Sequence, residues 1–120
     1  MNIEGLPEAV NVDAKLVHRG RFLALDFLVG VGEADWIVEV REGRVAKVAQ
    51  GPFLMPNVSF SMRASADDWA VFWSADPPPG YHDLFALLKF KRLKLEGDMH
   101  PFMSNLFYFK GVLAALRSVA

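Results

Sequence analysis

The chain has 120 residues and a mass of 13.4 kDa, which predicts one domain over residues 1–120 with residues 1–10 as a loosely ordered start. Hydrophobic residues make up 52%, too many for a disordered chain. The 13 Lys and Arg against 14 Asp and Glu leave a net charge of −1. A nucleic-acid partner is therefore not expected, and the absence of Cys excludes disulfides, thiolate catalysis and Cys-ligated zinc.

Asn11 is placed to cap a short helix running to Arg19, with Gly20 ending it. Phe22–Val29 is a nearly continuous apolar run of strand length, read as a central strand with both faces covered. Gly30–Glu33 reads as a turn. From Asp35 to Arg41 the pattern alternates, with Trp36, Val38 and Val40 on one face. Glu42-Gly43 is a two-residue turn, and 44–49 return as the second arm of a hairpin. Phe53, Leu54 and Met55 lie in a loop between Pro52 and Pro56, read as a plug, a cavity mouth or a membrane- or partner-facing surface. Val58–Arg63 alternates again, with Val58, Phe60 and Met62 facing in.

Ser65 is a good N-cap, and Asp67 and Asp68 favour the helix dipole. Trp69, Phe72 and Trp73 follow at helical spacing before Pro77-Pro78-Pro79-Gly80. A short helix is expected over Tyr81–Leu88 and a fifth strand over Leu93–Glu96. Gly97 turns the chain, and Asp98 caps a last helix from Met99 to Leu116. Pro101 sits in its first turn, where a missing N–H costs little. Strands and helices do not alternate regularly, which predicts an α+β fold with helices on a largely antiparallel five-stranded sheet.

No signal-peptide pattern is visible at the N-terminus and no peroxisomal tripeptide at the C-terminus. The apolar stretch from Met99 to Leu116 carries too many polar residues for a membrane span. A cytoplasmic location is expected.

Several of these patterns stand together in one known family. The strand pair opened by Ala34-Asp35-Trp36-Ile37-Val38 and turned at Glu42-Gly43, the strand Asn57–Met62, the helix with Trp69 and Phe72, and the corner Phe90–Asp98 leading into an apolar helix resemble the sterol carrier protein 2 (SCP-2-like) domain. The resemblance covers roughly Phe22 to Leu116. It implies a five-stranded sheet covered by helices around an apolar cavity, and a non-catalytic role in binding or transferring sterols, fatty acids, acyl-CoA or other lipids. Some members are thought to assist isoprenoid quinone synthesis. The sequence departs from the family in its short N-terminal helix, its Pro77-Pro78-Pro79-Gly80 connection and its ending.

The residues expected to line such a cavity are Trp36, Phe60, Met62, Trp69, Phe72, Trp73, Phe102, Met103, Leu106 and Phe107. The last helix bears an apolar stripe wider than an ordinary core-facing one. Core packing or a dimer seam accounts for it equally. Met adapts to ligands of irregular shape. No cofactor and no metal site is implied, since His18, His82 and His100 lack ligand spacing. Asp26 interrupts the first strand, and its plainest reading is an edge, bulge or turn position. The basic run Lys89, Lys91, Arg92 and Lys94 reads as a solvated surface or an attraction to anionic lipid. The partner expected is a hydrophobic small molecule, with transient membrane contact and a homodimer both open. The alternative functions are an accessory module that uses its apolar surface for homodimerisation or partner binding in a lipid or quinone pathway, and an isomerase-like enzyme using Asp26 or a His.

Overall fold

The computed structural model describes residues 3–54 and 56–119, with side chains described as far as Arg117. Five strands form one sheet: β1 Ala24–Val31, β2 Ala34–Arg41, β3 Arg44–Gln50, β4 Phe60–Ala64 and β5 Lys94–Gly97. Their order across the sheet is β3-β2-β1-β4-β5, so β1 is central. β1–β2, β2–β3 and β4–β5 are antiparallel, but β1 and β4 run parallel, with Phe27 opposite Phe60 and Val29 opposite Met62. A parallel neighbour needs a crossover rather than a tight turn. The chain from Gln50 to Phe60 supplies it, passing from the edge strand back beyond β2 and β1.

The helices are α1 Leu6–Asn11, α2 Ala14–Arg19, α3 Ala66–Phe72, α4 Leu84–Lys89, α5 Met99–Ser104 and α6 Leu106–Ala114, with 3₁₀ turns over Ile3–Gly5 and Ala115–Val119. Two of the three predicted caps form: Ser65 and Asp98 accept from the backbone N–H groups of Asp68 and His100. Asp83, which was not predicted as a cap, accepts from Ala86 N–H at the start of α4. The third predicted cap, Asn11, does not cap. Asp13 caps α2 by accepting from Leu16 N–H. Asn11 ends α1 instead and pairs with the backbone of Val45, donating to its carbonyl at 3.0 Å and accepting from its N–H at 2.9 Å. In this way it satisfies edge strand β3 where the β2–β3 register slips and Ala46 is left over.

The start of the chain also differs from expectation. From Ile3 onward it is helical, not loose, because Ile3, Leu6 and Val10 recur at three- and four-residue steps and all are buried. Met1 and Asn2 lie outside the described residues. β1 runs on through Gly30 and Val31, where the sequence predicts a turn, and sheds Phe22, which stands 89% exposed.

The expected second covering of β1 is also corrected. Phe27 and Val29 face the helices, whereas Asp26 and Leu28 point to the other face of the pleat. There Arg41 pairs with Asp26 at 2.9 Å and Arg63 pairs with Asp35. Leu28 is buried on this face but stands outside the main core cluster. The helix-facing side carries the core, built from Phe27, Val29, Trp36, Val38, Phe60 and Met62 against Trp69, Phe72, Phe102 and Phe109.

Candidate ligand-binding region

The expected single last helix is broken in two. The Asn105 side-chain amide donates to the Pro101 carbonyl at 3.0 Å. That carbonyl is the acceptor the Asn105 N–H would use in an unbroken helix. The backbone N–H turns instead to Phe102 O at 3.3 Å, and Asn105 takes φ −127°. A short amide side chain has displaced the helical bond. On either side of the break Phe102 and Phe109 are fully buried, while Met103 and Phe107 are 53% and 68% exposed.

Between the sheet and α5–α6 four rings meet. Phe60 stacks on Phe27 with centroids 5.3 Å apart and meets Phe102 and Phe109 edge-on at 5.5 and 5.1 Å. Such pairs prefer offset-stacked and edge-to-face geometry. Where the sequence predicted a cavity between sheet and last helix, the resting molecule thus carries a packed aromatic cluster. Trp69 and Trp73 stack at 5.0 Å, and Phe72 meets Trp69 edge-on. Both indole N–H groups are used. Trp69 donates to Gly30 O at 2.8 Å and Trp73 to Leu113 O at 2.9 Å, so the pair ties β1 to α6.

Of the ten residues singled out, Trp36, Phe60, Met62, Trp69, Phe72, Trp73 and Phe102 therefore share one core. Met103 and Phe107 stand apart, and half-buried Leu106 packs against the border of that core. All three line an open groove of about 380 Å³ at the α5–α6 break, together with Arg19, Ser104, Asn105 and Tyr108. Arg19 was not predicted here. Its signal lies in the fold rather than the sequence, since α2 is brought against α6, with Gly20 beside the Tyr108 ring and Leu16 beside Gly111.

Tyr108 closes the back of this groove. Its hydroxyl donates to Gly43 O at 2.8 Å, and burial pushes its pKa up to about 12. The neutral phenol is favoured in the fold, whereas the unfolded phenol titrates near 10. Stability from this group is thus complete below pH 10 and is lost as pH rises through about 12. In a tyrosinate absorbance titration, the chain and its Tyr108→Phe variant are expected to differ by one phenol that ionises near pH 12. A difference spectrum that develops near pH 10 contradicts this burial.

Several further polar groups have partners within the fold. Arg117 donates to Phe72 O at 2.9 and 2.6 Å and to Tyr81 O at 3.3 Å, so it closes α3 and holds the segment after the prolines. Burial lowers its pKa, and the nearby Asp83 carboxylate opposes this. Burial acts to raise the Asp83 pKa, but the Ala86 N–H and the Lys110 ammonium at 3.0 Å outweigh it, so the net shift is downward. Arg92 lies over the Tyr81 ring, which takes it out of the exposed basic run. Asp26 is at mid-sheet rather than at an edge, and it is paired with Arg41 on the face away from the core. His18, His82 and His100 are exposed, and His100 Nε2 lies 3.4 Å from Ser104 Oγ. Met55 of the proline-bounded loop lies outside the described residues, and Leu54 is exposed. Among the described residues no cluster of metal-ligating side chains occurs, and no helix is long and apolar enough to cross a membrane.

No protein-family model matches the sequence, and no curated protein matches it. Its architecture does match solved structures. A crystal structure of sterol carrier protein 2 superposes with a TM-score of 0.77 at 11% identity, over 97% of this chain and 93% of that one. The chain has the SCP-2 fold. A possible sterol carrier protein of Thermus thermophilus gives 0.70 at 11% identity, covering 98% and 85% of the two chains. The SCP-2 domain of UbiJ, a ubiquinone synthesis protein, gives 0.56 at 17% identity, covering 97% and 90%. At this level of identity the likeness is one of fold, and few side chains are shared.

Proposed function

We propose that this protein is a non-catalytic carrier of a hydrophobic small molecule of lipid, fatty-acyl or isoprenoid type. The observation that carries the reading is the SCP-2 fold across nearly the whole chain, in which proteins described as sterol carriers and a ubiquinone synthesis protein recur. The groove at the α5–α6 break is the mouth. Behind it, Phe60, Met62, Phe102 and the tryptophans form the surface on which an apolar ligand is received. Uptake requires the four-ring cluster to part, and Asn105 is the point about which α5 moves. The opposing terms are comparable. Separating a ring pair costs about 0.5–1.5 kcal/mol beyond its area, while an apolar ligand recovers about 25 cal/mol for each Å² it buries. A long-chain ligand therefore outweighs the rings it displaces.

The test is native mass spectrometry of freshly purified protein, with organic extraction and identification of what is released. A stoichiometric lipid, acyl chain or quinone is the expected result. A ligand-free mass, combined with no uptake of a lipophilic dye or of added fatty acid, sterol or isoprenoid quinone, contradicts the reading.

A further inference from the structure

The two edges of the sheet differ. Edge strand β3 is engaged by Asn11, which pairs with the Val45 backbone. At the opposite edge, β5 has β4 on one side and no strand on the other among the described residues. The Asp98 N–H donates to Ser59 O at 2.8 Å, one step beyond the Phe60–Gly97 pair of the β4–β5 ladder. Hydrogen-bonded pairs recur at every second residue of an antiparallel ladder. Glu96 and Lys94 therefore direct their backbone groups to Ser61 and Arg63. The N–H and C=O of Leu95 face the open edge, with those of Leu93 and Gly97 on either side. Such a row is a ready template for another strand.

The side chains decide which strand fits. Leu95 divides the segment by charge: Lys91, Arg92 and Lys94 precede it, and Glu96 and Asp98 follow it. Arg92 is held within the fold by Asp68 and the Tyr81 ring. Lys91 and Asp98 are exposed, and the side chains of Lys94 and Glu96 are 70% and 63% exposed. A strand whose charge reverses at its centre is complementary to itself when two copies run antiparallel. With Leu95 of one copy opposite Leu95 of another, the two exchange both N–H···O bonds, and each Lys94 stands opposite the other copy's Glu96. These are non-hydrogen-bonded pairs, in which Cα atoms approach to about 4.5 Å and opposite charges attract across the ladder. Slipping the register by two residues sets Lys94 against Lys94 or Glu96 against Glu96, so the charges select one register.

We propose that β5 pairs antiparallel with β5 of a second copy of this chain, about a two-fold axis that passes between the two Leu95 residues. The homodimer carries one continuous ten-stranded sheet, twice the five strands of one copy. The axis stands perpendicular to the sheet, so both helical layers and both α5–α6 grooves lie on the same side. This goes beyond the carrier reading and does not rest on it, because assembly is measured without a ligand.

A contact built on one short strand belongs to the smaller and weaker class of interfaces. The experiment is therefore sedimentation equilibrium of the full chain at concentrations up to about 1 mM, and a monomer–dimer equilibrium is expected. Lys94→Glu and Glu96→Lys each set like charges opposite one another twice in the dimer. Each should lower the association constant by about tenfold or more. An equimolar mixture of these two variants makes every cross-strand pair attractive again and should associate within about threefold of the parent. Met103→Ser with Phe107→Ser, on the exposed apolar rim of the groove, should leave the constant within about twofold. Should either charge variant lose its native circular dichroism, Lys94→Gln and Glu96→Gln replace the pair. Each is then expected to associate about threefold more weakly than the parent, and their mixture more strongly than either alone. The proposal is overturned by a parent that stays monomeric throughout, by charge variants that dimerise as the parent does, or by a mixture no stronger than its components. It is equally overturned if Met103→Ser with Phe107→Ser abolishes the dimer, since the contact would then lie on the α5–α6 face.

Discussion

Gly43→Ala is expected to remove at least about 3 kcal/mol of stability, and Gly43→Val to leave no folded protein. Gly43 has φ +80°, where a Cβ costs about 1–2 kcal/mol. The larger effect is steric. A Cβ here would stand 2.2 Å from the Val17 carbonyl oxygen and 2.9 Å from the Gly20 carbonyl carbon. Both are backbone atoms at the end of α2, which cannot swing aside as a flexible side chain could. The Gly43 carbonyl also receives the Tyr108 hydroxyl. One turn residue therefore joins the β2–β3 hairpin to α2 and, through Tyr108, to α6, and any shift of the turn disturbs all three. A domain of this size holds only about 5–15 kcal/mol in total. Urea unfolding followed by tryptophan fluorescence measures the loss. The control is Glu42→Gly, at the neighbouring turn residue with φ 54°. It relieves a strained non-glycine position and is expected to stay within about 1 kcal/mol of the parent. A Gly43→Ala variant as stable as the parent means that the hairpin does not sit against α2 in this way.

The hairpin itself was legible in the sequence because its rule is local. Trp36, Val38 and Val40 alternate with polar residues, and Glu42-Gly43 suits a turn with both central residues at positive φ. The parallel pairing of β1 with β4 was not legible. Val58–Arg63 has the same alternation whichever neighbour it joins, and the crossover before it contains no helix to mark its length. The helix over Leu6–Asn11 was legible in principle from Ile3, Leu6 and Val10, but Gly5 and Pro7 obscured that spacing.

The candidate site divides in the same way. The apolar stripe of the last helix was readable from composition, but its break was not. At about 3.6 residues per turn, Phe109 follows Phe102 on one face and Met103 and Phe107 lie to its side. The hydrogen bond from Asn105 to Pro101 O breaks the helix, and Phe102 and Phe109 are buried on either side of the break while Phe107 is exposed. The only local sign was Ser104-Asn105, two residues whose side chains compete for backbone groups. Arg19 had no sign at all, because its place at the groove depends on α2 packing on α6.

Phe60→Ala is expected to cost about 3–5 kcal/mol, which for a chain of this length lowers the melting temperature by roughly 10–20 °C. Phe60 is fully buried, pairs with Gly97 across the β4–β5 ladder and touches the rings of Phe27, Phe102 and Phe109. Removing its ring leaves a space walled by those three, on one strand and two helices that cannot all close on it. The cost therefore belongs at the upper end of the range for buried aromatics. An apolar void of this kind stays dry and accepts small apolar probes, so xenon or benzene should stabilise the variant and not the parent. Phe60→Leu, which keeps most of the volume, should lose about 1.5 kcal/mol or less. Differential scanning calorimetry with and without probe reads all three effects. The outcome also bears on how a ligand is received. If Phe60→Ala loses less than about 1 kcal/mol and the parent already binds the probe, the rings are not packed as described and a carrier cavity stands open at rest. If the full loss appears, the ligand must part the rings to enter. Uptake should then quicken in Phe60→Ala as its stability falls, since the cluster that opposes entry is the one that holds α5 to the sheet.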